Sequence, residues 1–186
     1  CIRDRSRALC VIGRPRRIQA LTTRAMQVEL RLPPEAAPGE PPRPVVVDTN
    51  VALDLLIFGD PRTTPLRTLL AQERLAWIAT HVMRDELERV LAYPHIAERM
   101  DYYRMDAAQV LAAFDAQVRL VATAPRVVYV CKDADDQKFI DLAAAHQAIL
   151  LSKDKAVICM RKRLMTLDAH VATALVLDES VVAAAA

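Results

Sequence analysis

Four acids stand out from the other carboxylates by where they fall along the chain. Asp48 follows directly on the β-branched run Val45, Val46, Val47, and Asp154 lies two residues beyond a second apolar run at 148–152. In parallel sheets, the carboxyl ends of such strands open onto the crevice where ligands bind. Glu86 sits inside the apolar stripe Val82, Met83, Leu87, Val90 and Leu91, where helical spacing puts a carboxylate on the face turned to the core. Asp136 comes one turn before Phe139, Ile140 and Ala143 on the apolar side of another helix. Carboxylates crowded into one pocket repel each other and protonate unless a cation compensates them. An all-oxygen set suits Mg²⁺ or Mn²⁺, which keep several waters and accept phosphate oxygens. The chemistry this arrangement points to is hydrolysis of a phosphodiester backbone.

Each acid also has a structural role open to it. Asp48 and Asp154 are placed to cap the helices that follow them, and Glu86 could pair with an arginine. Asp133 and Asp135 read as acids favoured by a helix start, and stand in for Asp136 if the register of the acidic cluster is shifted. It is the four acids in register that favour a site.

Other chemistries are poorly provided for. With three glycines, Gly13, Gly39 and Gly59, neither a phosphate-cradling loop nor a dinucleotide-binding turn can be written. None of the three serines lies in a nucleophile elbow. The four histidines lack metal-ligand spacing, and Cys1, Cys10, Cys131 and Cys159 form no C-x-x-C pair, so they read as reduced thiols of a cytosolic protein. No apolar run approaches the ~20 residues of a membrane span.

The elements that must position the acids follow from periodicity. The spacing predicts strands at 45–47, 75–79, 127–130, 148–152 and 171–177. It predicts helices at 50–58, 63–74, 80–93, 95–103, 106–120, 135–147 and 156–164. Strands alternating with helices imply a three-layer α/β/α sandwich around a mainly parallel sheet. Residues 1–44 carry nine arginines against four acids and a Pro-rich stretch. They read as a mobile basic arm and linker, with a poorly formed likeness to an organelle transit peptide, ahead of a domain at 45–178 and a tail at 179–186. Of 25 basic and 23 acidic side chains in all, 16 and 19 remain once this arm is set aside, so the domain is mildly acidic. The run Arg161, Lys162, Arg163 reads as a solvated helix end, with phosphate contact the alternative, and Tyr102 and Tyr103 are candidates for stacking on bases.

The phrases VVVDTNV at 45–51, MRDELERVL at 83–91, DADDQKFIDLA at 133–143 and LLSKD at 150–154 resemble, in order and spacing, the successive acidic motifs of PIN domains. The wording is most similar to the branch described as toxin components of toxin–antitoxin pairs. The resemblance implies that Asp48, Glu86, Asp136 and Asp154 bind the metal, while Asn50 positions one of these acids or a metal-bound water. It further implies a cytoplasmic endoribonuclease acting on single-stranded RNA, restrained by an antitoxin protein, with a homodimer as its assembly. Ser152 and Lys153 depart from the small residue and Thr that many PIN domains carry before the last acid. A lysine there either weakens metal binding or grips a phosphate. Two other functions compete. A non-catalytic module of the same fold would bind RNA or protein without a metal. A phosphatase of the haloacid-dehalogenase type requires D-x-D, where this chain has Asn50 in the second acidic position.

Overall fold

The computed structural model describes residues 27–35, 39 and 41–178. Five strands form one parallel sheet in the order β4-β3-β2-β5-β6: β2 (Arg43–Val47), β3 (Leu75–Ala79), β4 (Arg119–Leu120), β5 (Ile149–Leu151) and β6 (His170–Ala172). The central strands are buried on both faces, as helix-covered parallel strands must be. Val45, Val46, Ile149 and Leu150 are wholly enclosed.

From β2 the chain steps outward to β3 and β4, then returns to the other side of β2 and steps through β5 to β6. Right-handed crossovers in opposite directions place helices on both faces, which makes the α/β sandwich. α1 (Thr49–Leu53), continued by a π-helical turn (Asp54–Phe58), α2 (Thr64–Ala71), α3 (His81–Leu91), α4 (Pro94–Tyr102) and α5 (Ala107–Gln117) belong to the first direction. α6 (Gln137–Ala145), α7 (Lys155–Ile158) and α8 (Arg161–Met165) belong to the second. The sheet therefore reverses its winding between β2 and β5, and a crevice opens at the carboxyl ends of these strands. Gly59, at φ 58°, ends the π-helical turn in the left-handed conformation its missing Cβ allows.

Several expectations need correction. Residues 127–130 are not a strand but a loop. Val127 N–H donates to Asp141 Oδ1 at 3.0 Å and the Tyr129 carbonyl accepts from Gln137 Nε2 at 3.1 Å, so side chains of α6 occupy the groups a sheet would have used. The helix expected at 106–120 ends at Gln117, leaving Arg119–Leu120 as an edge strand on β3. The helix at 156–164 divides into α7 and α8. The strand at 171–177 breaks at Thr173, beyond which β7 (Ala174–Leu177) leaves the central sheet.

The end of the expected arm is also structured. β1 (Glu29–Leu32) pairs in parallel with β7, and Thr173 N–H donates to the Val28 carbonyl at 2.7 Å. Arg74 then anchors the Pro-rich stretch, donating to the carbonyls of Pro34 at 2.6 Å and Pro33 at 2.7 Å, and β2 begins at Arg43. The basic arm over 1–26 and the tail over 179–186 lie outside the described residues, as do Cys1 and Cys10; Cys131 and Cys159 are free thiols. Among the described residues, no helix is long and apolar enough to cross a membrane.

Candidate functional site

Asp48 leaves β2 at the crevice and is only 3% exposed. Its backbone N–H continues the sheet by donating to the Leu151 carbonyl at 2.9 Å. On β5's side, Ser152 Oγ, itself fully buried, donates to Asp48 Oδ2 at 2.7 Å. The same hydroxyl oxygen accepts the Asp154 N–H at 3.0 Å, so one serine sets both acids at the strand ends. Asp154 also caps α7, its Oδ1 accepting from Ala156 N–H at 2.6 Å. The capping role open to it from sequence is real and coexists with its place in the crevice.

Glu86 reaches the crevice from α3. Its Oε1 accepts from Thr49 Oγ1 at 2.8 Å, and its Oε2 forms an ion pair with Lys138 of α6. Thr49 is the first residue of α1, directly after Asp48, so the strand end that presents one acid also orients a second. Asp136 stands at the start of α6 without capping it, and its Oδ2 is buried with no hydrogen-bond partner.

The electrostatics show that these four segments converge. Burial, chiefly, raises the Asp48 carboxyl above its ordinary range. The hydrogen bonds from Ser152 and from Thr49 N–H offset part of this, and the charges of Glu86 and Asp154 add to it. Asp136 is pushed up to about 7, first by burial and then by the charges of Asp48, Asp154 and Asp133. These are the two mechanisms, desolvation and like-charge repulsion, that crowding of acids predicts. Among the described residues, no three of His, Cys, Asp and Glu are grouped closely enough to hold a metal ion as they stand. Most of the carboxylate oxygens named here are turned toward protein donors, with Asp136 Oδ2 the exception.

The other expected residues are placed differently. Asn50 is exposed in the first turn of α1 and bonds to none of the four acids, and it is its neighbour Thr49 that does the positioning. Asp133 and Asp135 are exposed, with Asp133 Oδ1 accepting from Asp135 N–H at 3.0 Å in the turn before α6. Lys153 turns away from Asp154 to pair with Asp54 and, at 3.3 Å, with Asp60, tying the end of β5 to the loop after the π-helical turn. Val82, expected in the apolar stripe of α3, is 48% exposed, because Met83, Leu87 and Leu91 supply the buried face and Val82 falls beside Glu86 at its edge.

Sequence reasoning missed Gln137. It is buried, with Oε1 accepting from Cys131 N–H at 2.7 Å and Nε2 donating to Tyr129 O at 3.1 Å and Asp141 Oδ1 at 2.7 Å. It thereby anchors the loop that delivers Asp136. The signal was a glutamine and an aspartate spaced i, i+4 on the apolar face of α6, where buried polar groups need partners.

The PIN domain family profile matches residues 44–156. An uncharacterized protein of Methanocaldococcus jannaschii is 26% identical over 117 residues, covering 63% of this chain and 74% of its own length. No solved structure matches. The family match takes in β2 with Asp48, α3 with Glu86, the loop and helix of Asp136, and β5 with Asp154, which are the segments the fold brings to one crevice. The chain belongs to the PIN domain family, whose members are generally nucleases that use divalent metals.

Proposed function

We propose that the protein is a metal-dependent endoribonuclease that hydrolyses phosphodiester bonds of single-stranded RNA, using Mg²⁺ or Mn²⁺ held by Asp48, Glu86, Asp136 and Asp154. The observation that carries this reading is the convergence of four carboxylates from four separate segments at the point where the sheet reverses its winding. The donor set fits a hard divalent cation. All its atoms are oxygens, two of its carboxyls are raised by burial and mutual repulsion, and Asp136 Oδ2 is buried without a partner. When bound, such an ion supplies positive charge to a phosphate oxygen and lowers the pKa of a water.

The chain's own residues prepare the site. Ser152 holds Asp48 through Oδ2 and orients the backbone of Asp154, while Thr49 fixes Glu86 through Oε1. Asp136, its carboxyl raised to about 7, holds a proton below that pH and must release it for the full set of negative charges to form. Restraint by an antitoxin, assembly as a homodimer and residence in the cytoplasm complete the proposal. These three rest on the likeness of the acidic motifs to those of toxin PIN domains.

The test is cleavage of a labelled single-stranded RNA with Mn²⁺ or Mg²⁺ by the parent protein, by Asp48→Asn and with EDTA present. Cleavage by the parent that both controls abolish is the expected result. A fully active Asp48→Asn protein would remove the basis of the assignment. A folded parent that cleaves nothing and shows no saturable Mn²⁺ binding would favour a non-catalytic binding module.

A further inference from the structure

Beside the crevice lies a groove of about 370 Å³, within the size range of roughly 300–1,000 Å³ typical of small-ligand sites. One wall is α3 together with Tyr93, two residues beyond its end. Val82, Glu86, Arg89, Val90 and Tyr93 recur at helical spacing and form a single face, and Ala134, Asp135 and Lys138 line the opposite side, with the exposed Asp135 carboxylate across from the Arg89 wall. Glu86 and Lys138 belong equally to the acid cluster, so the groove and the crevice meet at this ion pair. The wall combines three kinds of surface. Val82 and Val90 are apolar, Tyr93 is 50% exposed and has its ring 6.0 Å from that of His95, and Arg89 is exposed and forms no ion pair among the described residues.

We propose that this groove is a subsite for one unpaired nucleotide flanking the cleaved phosphate, with the base against Tyr93 and the two valines and the adjoining phosphate on Arg89. The inference rests on the ribonuclease reading and deepens it.

Three features select this occupant. An exposed aromatic ring in a groove that also carries aliphatic side chains offers a stacking surface that accepts any base. A cation without a partner complements a phosphate, whereas Lys138 is already engaged by Glu86. Continuity with the acids through Glu86 places the groove where the strand must run on either side of the scissile bond. A paired duplex would keep its bases stacked inside and leave Tyr93 nothing to take, so the subsite selects single strands.

Binding is measured by fluorescence anisotropy with a labelled oligoadenylate octamer and Mg²⁺, on the full chain in an Asp48→Asn background that prevents cleavage. Tyr93→Ala is expected to weaken binding about tenfold, and Tyr93→Phe to restore it. The Tyr93→Ala effect should vanish with an abasic octamer of the same length. Arg89→Gln should weaken both octamers and lower the salt slope of log K by roughly 0.7.

In the cleavage-competent protein the same Tyr93→Ala and Arg89→Gln changes should raise KM more than they lower kcat. Melting curves equal to the parent's show that the variants fold. Unchanged affinity in both Tyr93→Ala and Arg89→Gln, with the parent still binding and cleaving RNA, overturns the subsite alone and leaves the groove to a protein partner. A folded parent that neither binds nor cleaves RNA overturns the subsite together with the reading beneath it.

Discussion

Ser152 Oγ donates to Asp48 Oδ2 across 2.7 Å, joining two residues 104 positions apart at the carboxyl ends of adjacent parallel strands. Because Ser152 is fully buried, no water can replace its hydroxyl, and the bond lowers a carboxyl that burial would otherwise raise further. Replacing Ser152→Ala should destabilise the fold by about 1.5–3 kcal/mol, the range for a hydrogen bond to a charged group. Urea denaturation at neutral pH measures the loss. An unchanged midpoint would mean that the Ser152–Asp48 bond contributes nothing to the fold.

Asp136 gives the metal-free protein a pH dependence of definite sign. Its carboxyl is raised from 3.8 to about 7 in the folded chain, so between these values the folded state binds the proton that the unfolded state has released. The contribution is therefore fully present below the unfolded value and is lost as pH rises through about 7. Asp136→Asn should remove this slope and be more stable than the parent at about pH 8 in EDTA. The difference should be on the order of 1–2 kcal/mol once solvent screening of a partly exposed group is allowed for. Thermal melts of both proteins across that pH range decide the matter, and parallel curves would exclude Asp136 as the group responsible.

Gln137 holds the loop before α6 by three hydrogen bonds, to Cys131 N–H, Tyr129 O and Asp141 Oδ1. Gln137→Leu keeps the volume but leaves the buried Cys131 N–H without its acceptor and takes from Asp141 one of its two donors, at a cost of about 1–3 kcal/mol. Amide exchange should accelerate over residues 129–136 more than in β2 or β5. Exchange that rises evenly through the sheet would show a general loss of stability instead of a released loop.

Lys138 neutralises Glu86 in the absence of any ion. Its charge competes with a divalent cation for the same acids, so Lys138→Met should tighten Mn²⁺ binding by roughly tenfold, as removal of a unit charge a few ångströms away predicts. Calorimetric titration reads this directly without any substrate. Weaker binding in the variant would mean that the lysine serves to hold Glu86 in place.

Local patterning alone determined the alternation of strands and helices, the parallel sheet and the position of Asp48 and Asp154 just past two of its strands. β2 and β5 are enclosed on both faces, so they had to be short apolar runs, and an acid directly after such a run is conspicuous. Glu86 was legible because it interrupts a helical stripe, and Asp136 because it precedes one. The tertiary structure decided what depends on partners distant in sequence. Residues 127–130 look like a strand in isolation, yet Gln137 and Asp141 claim their backbone groups first. Glu29–Leu32, at the end of a stretch that reads as a mobile arm, becomes a strand because β7 lies beside it. The choice of Thr49 over Asn50 as the donor to Glu86, and of Lys138 as its counter-ion, was likewise invisible. Periodicity reports which face of an element is buried, whereas a hydrogen bond or ion pair is set by which other element packs against that face.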